Sequence, residues 1–82
     1  MKPYSDIILE VKFLISETLE CHVDTIDETH LIAELSEDSI QLFELLLAFE
    51  RKYAVQTSYE DVLTLNTVGD IAQYVGRAKY AL

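Results

Sequence analysis

Ser39 lies in the run Glu37-Asp38-Ser39-Ile40, where an apolar helical pattern begins. A hydroxyl at a helix start has two uses: it can cap the helix, or it can carry a phosphate group as an ester. The first turn suits an anion, because its backbone N–H groups lack intrahelical partners and the helix dipole is positive there. Asp38 is the better cap, with Gln41 placed to reach back as in a capping box. Ser39 is thereby released from capping, and a phosphodiester on it would be electrostatically favoured.

Other chemistry-bearing residues form weaker patterns. His22 and His30 have Asp24, Asp27 and Glu28 nearby, but no HxxxH or Cys/His spacing occurs, and loop histidines are usually solvated. The stretch from Asp24 to Glu34 is acidic, yet it lacks the glycine and regular oxygen spacing of a calcium loop, leaving only loose screening by divalent cations. No Ser-His-Asp or Cys-His pairing emerges, so the expectation is a protein with no metal site and no catalytic residues.

The elements that would position Ser39 follow from periodicity. Ile7, Ile8, Val11, Leu14, Ile15 and Leu19 recur at three- and four-residue spacing and predict a first helix over Asp6 to Leu19, capped by Ser5. Between Glu20 and Glu37 the period lapses, and Val23, Ile26, Leu31, Ile32 and Leu35 read as anchors of a long ordered loop. A second helix is predicted from Ser39 to Tyr53, a short third one from Tyr59 to Leu63 capped by Ser58, and a fourth after Thr67. There the spacing of Thr67 to Asp70 resembles a capping box, and Val68, Ile71, Ala72, Val75 and Ala78 are the residues expected to face the core.

The second helix has more apolar surface than one core needs. Leu42, Leu45, Leu46, Phe49 and Tyr53 make a core stripe, while Ile40, Phe43 and Leu47 form a second line at i, i+3 and i+7, flanked by Gln41, Glu44 and Arg51. Either other helices wrap this line or it is a binding surface. Complete coverage of both faces is hard in 82 residues.

Composition sets the class. Two glycines and one proline among 82 residues, half of them hydrophobic, favour helices on short loops, hence an all-α single domain over 1–82. The net charge of -9 is uneven, since residues 1–50 hold 12 acidic and 2 basic side chains. Such a surface repels nucleic acid and anionic lipid, and basic protein surfaces are its natural complement. Cys21 alone permits no intrachain disulfide, no stretch of 18 apolar residues occurs, and the N-terminus lacks signal-peptide features. A cytoplasmic protein without membrane insertion is expected.

Taken together, Asp38-Ser39-Ile40 at the start of the second of four helices resembles the Asp-Ser-Leu hallmark of acyl carrier proteins. The likeness extends from Ile26 through the loop to Ile40, along Leu42 to Tyr53 with Glu44-Leu45 and Ala48-Phe49-Glu50, and on through Tyr59-Glu60-Asp61 and Asn66 to Ile71. It implies a four-helix bundle of acyl-carrier type that performs no catalysis. Ser39 would bear phosphopantetheine, installed from coenzyme A by a phosphopantetheinyl transferase, with Asp38 helping to present it. Ile40, Gln41, Phe43, Glu44, Leu47 and Arg51 would meet acyl-transferring, ketosynthase and related enzymes through basic docking surfaces. The carrier is expected as a monomer or in complex with a partner enzyme.

Three positions depart from the family pattern. Ser36 stands where glycine is usual two residues before the aspartate, which implies a different local backbone. Gln41 and Arg51 replace commonly acidic residues and reduce the negative charge that general fatty-acid enzymes would meet. The reading is therefore a specialised carrier for a fatty-acid, polyketide or polyene pathway. Alternatives are a peptidyl or aryl carrier on the same fold, and a helical interaction module without a prosthetic group.

Overall fold

A computed structural model describes residues 3–36, 38–57, 60 and 64–80. Its helices are α1 (Tyr4–Leu19), the single turn α2 (Ile32–Leu35), α3 (Ser39–Tyr53) and α4 (Val68–Tyr80), with a 3₁₀ turn at Val23–Thr25. The protein is all-α; among the described residues the sole β-type pairing is an isolated antiparallel bridge between Leu31 and Thr67. The predicted third helix, Tyr59 to Leu63, lies outside the described residues except for Glu60, which is helical.

α1 buries Ile7, Val11, Ile15 and Leu19, a four-residue repeat that keeps one stripe on the core, with Ile8 and Leu14 packed partly against it. Its start differs from expectation. The cap is Pro3, whose carbonyl accepts from Asp6 N (3.0 Å) and Ile7 N (3.2 Å), and Ser5 lies inside the first turn. The helix gains Tyr4 and Ser5, and Tyr4 packs on the core and donates its hydroxyl to Gly69 O at 3.4 Å, tying the start of α1 to α4.

α1 packs against both α3 and α4 around one cluster of buried residues. α3 contributes Leu45, Phe49 and Tyr53, and α4 contributes Val68, Ile71, Ala72 and Val75. Each fully buried Val, Leu, Ile or Phe side chain among them stabilises the fold by about 1.5–3 kcal/mol. Ala78, expected in the core, is exposed, because α4's stripe ends with Val75 and Gly76. Tyr53 stacks on Phe49 at 6.2 Å and meets Tyr80 edge-on at 6.5 Å, and burial, followed by the Glu10 carboxylate, pushes its hydroxyl above the ordinary tyrosine range.

The segment predicted as a loop contains the 3₁₀ turn and α2. Ile26 and Ile32 are buried anchors, but Leu31 is 45 % exposed. What holds the segment here is backbone: Ile32 N donates to Asn66 O (2.9 Å), Val68 N to His30 O (3.0 Å) and Gly69 N to Glu28 O (2.8 Å). A Cβ on Gly69 would meet Glu28 O at 3.2 Å, so a larger residue there would push this backbone apart slightly. Periodicity of side chains carries no signal for such pairings. The same segment delivers the chain to Ser36 and on to the start of α3.

Candidate functional site

α3 begins as its sequence requires. Asp38 is extended (φ -155°, ψ 178°), its Oδ1 accepts from Gln41 N at 2.9 Å, and its carbonyl accepts from Leu42 N at 3.2 Å. These are the capping half of the predicted box, a feature typically stabilising by about 1 kcal/mol. Ser39 is the first helical residue and is exposed. No acidic side chain occupies the first turn of α3, so the N-terminal field is not cancelled by an adjacent carboxylate on the helix itself.

Ser36, on the approach to this turn, has an ordinary backbone. Ser36 has φ -90° and ψ 144°, an ordinary extended conformation, and its hydroxyl donates to Ile32 O at 3.1 Å. The expected distortion from the missing glycine is therefore absent at Ser36, which uses its side chain to close α2 instead.

Along α3 the outward line stays open. Ile40 is 68 % exposed, Phe43 59 % and Leu47 40 %, and Glu44 and Arg51 are exposed beside them. Five of the predicted contact residues thus share one outward face. Gln41 is half-buried and lies about a quarter-turn or more from that line, its backbone engaged by Asp38.

A cleft runs beside the same helix, a feature that periodicity merged with the core. Its volume is about 610 Å³, and Ser39 lies on its lining together with Leu42, Leu46, Phe49, Leu65 and Tyr74. Leu42, assigned to the core stripe, is 39 % exposed because it faces this space. The cleft thus sets an exposed serine beside a mostly apolar hollow. Another missed residue is Glu50, whose Oε2 accepts from Thr57 N (3.0 Å) and Thr57 Oγ1 (3.3 Å). No local sequence signal pairs these two.

Of the loop histidines, His30 uses its ring in the local structure. His30 Nδ1 accepts from Asp27 N at 2.9 Å, while Thr29 Oγ1 donates to Asp27 Oδ2 at 2.9 Å. The Thr29 hydroxyl is the main cause holding the Asp27 carboxyl below its usual range. Among the described residues there is no group of three or more His, Cys, Asp or Glu able to hold a metal ion. No helix among them is long and apolar enough to cross a membrane.

Comparison with known proteins bears on this geometry. A family model described as a phosphopantetheine attachment site matches residues 10–75. The acyl carrier protein of Thermotoga maritima is 34% identical over 76 residues, covering 92% of this chain and 94% of its own. The matched region includes α3 and its start, with Ser39, Asp38 and the outward line inside it.

Proposed function

The chain belongs to the acyl carrier protein family, whose mark is the phosphopantetheine attachment site, and from that premise we propose that Ser39 is the residue modified. Acyl carrier proteins are carriers and not enzymes; they bear phosphopantetheine covalently and work with a phosphopantetheinyl transferase and acyl-handling enzymes. When attached, the group supplies a terminal thiol that holds an acyl chain as a thioester. Ser39 Oγ would provide the ester oxygen: it would bond to the pantetheine-bearing phosphorus of coenzyme A as the P–O bond of the diphosphate bridge breaks, with adenosine bisphosphate as leaving group and the hydroxyl proton going to a base of the transferase.

The observation that carries this reading is that Ser39 is exposed and lines the cleft, with capping already done by Asp38. Asp38 fixes where α3 starts and so where Oγ stands. Ile40, Phe43, Glu44, Leu47 and Arg51 offer partner enzymes an apolar line with charged flanks, and Gln41 supports the turn from behind. Residues 1–82 act as one carrier domain.

Intact mass spectrometry after incubation with coenzyme A and a broad-specificity phosphopantetheinyl transferase tests the assignment. The wild type gains one phosphopantetheine and Ser39→Ala gains none. A gain that persists in Ser39→Ala moves the site elsewhere, and no gain in the wild type favours a helical interaction module without a prosthetic group.

The pathway is a specialised one, making a fatty acid, polyketide or polyene with its own enzymes. Support comes from Arg51, exposed on the outward face where the family is commonly acidic, and from Gln41 in the first turn. Arg51 weakens the acidic surface that general fatty-acid enzymes would read, while Gln41, half-buried and off that face, only withholds a negative charge from the start of the helix.

A further inference from the structure

Two hollows lie against the C-terminal half of α3. One is the cleft of about 610 Å³ that starts at Ser39; the other is an outer groove of about 440 Å³ lined by Leu47, Glu50, Arg51, Ala54, Val55 and Gln56. Leu47, Glu50 and Val55 line both, so these three side chains form the partition between them. Glu50 is the charged member, and it is held at both ends. Its carboxylate takes two hydrogen bonds from Thr57, and its carbonyl accepts from Ala54 N and, at 3.3 Å, from Val55 N where the helix ends.

We propose that Glu50, clasped to Thr57, is the end-stop that sets the length of acyl chain this carrier shelters, an inference that rests on Ser39 being the attachment point. From Ser39 to Glu50 the helix advances about 16 Å at about 1.5 Å per residue. An apolar chain folding back from the mouth meets Leu42, Leu46 and Phe49 along this path. At Glu50 it meets a carboxylate. Passing further means displacing two hydrogen bonds to a charged group or burying that charge against methylenes, and both oppose entry. The substrates favoured are therefore apolar chains that fill the cleft without breaching the partition. Longer chains leave their excess in water, where it adds no shelter to the thioester.

The test loads the Ser39 arm with saturated acyl groups of increasing length, from butyryl to palmitoyl, and measures thioester cleavage by hydroxylamine on the folded protein. In the wild type each added methylene that enters the cleft slows cleavage about fourfold, until the protection levels off. Glu50→Ala and Val55→Ala, which open the partition from its two sides, shift the levelling-off point to longer chains by about two methylenes, a roughly fifteen-fold gain in protection for those chains. Glu50→Gln still accepts from Thr57 N and restores the wild-type length limit. The proposal is overturned if loaded Glu50→Ala and Val55→Ala, folded by circular dichroism, level off where the wild type does, or if wild-type protection shows no length limit. Should Glu50→Ala not fold, Val55→Ala decides alone. Failure of the wild type to load removes the carrier reading and this inference together, whereas normal loading with an unchanged limit removes this inference only.

Discussion

Single carboxylates do much of the local ordering. Asp38 holds the start of α3, and Asp70 does the same for α4: its Oδ2 accepts from Asn66 N and Thr67 N, both at 3.1 Å, while Thr67 Oγ1 accepts from Asp70 N at 3.0 Å. The backbone donors at Thr67 and Asn66 hold the Asp70 carboxyl below the usual aspartate range of 3.8. A lowered native pKa means the folded state binds this proton more weakly than the unfolded chain. The stability it contributes is complete above the ordinary value and is lost as pH falls through the native one. Melting temperature should accordingly drop on acidification below about pH 4, and Asp70→Asn should flatten that drop; an unchanged acid profile in the variant would show that Asp70 carries none of it. These caps were legible because each lies within three or four residues of what it holds. The cap at Ser5 was misassigned for a non-local reason, since Tyr4 is drawn into the helix by Gly69 O on α4.

At the scale of elements, α3 serves two surfaces with one helical repeat. Leu45, Phe49 and Tyr53 face the core, and Ile40, Phe43 and Leu47 are exposed, the last two along the edge of the cleft. The two faces should separate on mutation. Phe43→Ser or Leu47→Ser should raise the KM of the phosphopantetheinyl transferase while shifting stability by less than about 0.5 kcal/mol, whereas Leu45→Ala should cost about 2–5 kcal/mol by urea titration. Equal transferase kinetics across the outward variants would mean the line is not read. The limits of α3 could be read in advance because period and cap agree at Ser39 and its period holds to Tyr53. The cleft could not, for Leu42 and Leu46 have the spacing of core residues, and only the neighbouring Leu65, Tyr74 and Val75, distant in sequence, reveal that they line a hollow. The clasp of Glu50 to Thr57 was hidden for the same reason.

For the whole molecule, charge and helix content fixed the class early. Acidity is concentrated in residues 1–50, the part of the sequence that contains Ser39, and a field of this sign favours basic partner surfaces. If the pathway is a dedicated one, the loaded carrier should be turned over about tenfold or more slowly by housekeeping fatty-acid synthase enzymes than by its own ketosynthase, and the partial charge swap Arg51→Glu should narrow that gap. Equal turnover by both sets would sink the specialised reading. The lacing of the α2 segment to the start of α4, by Glu28, His30 and Ile32 to Gly69, Val68 and Asn66, has a further consequence for motion. These amides bridge parts of the chain far apart in sequence, so none can open to solvent by local fraying alone. Deuterium should enter Ile32, Val68 and Gly69 at one common rate, marking the loop that leads to Ser39 and the head of α4 as a single opening unit.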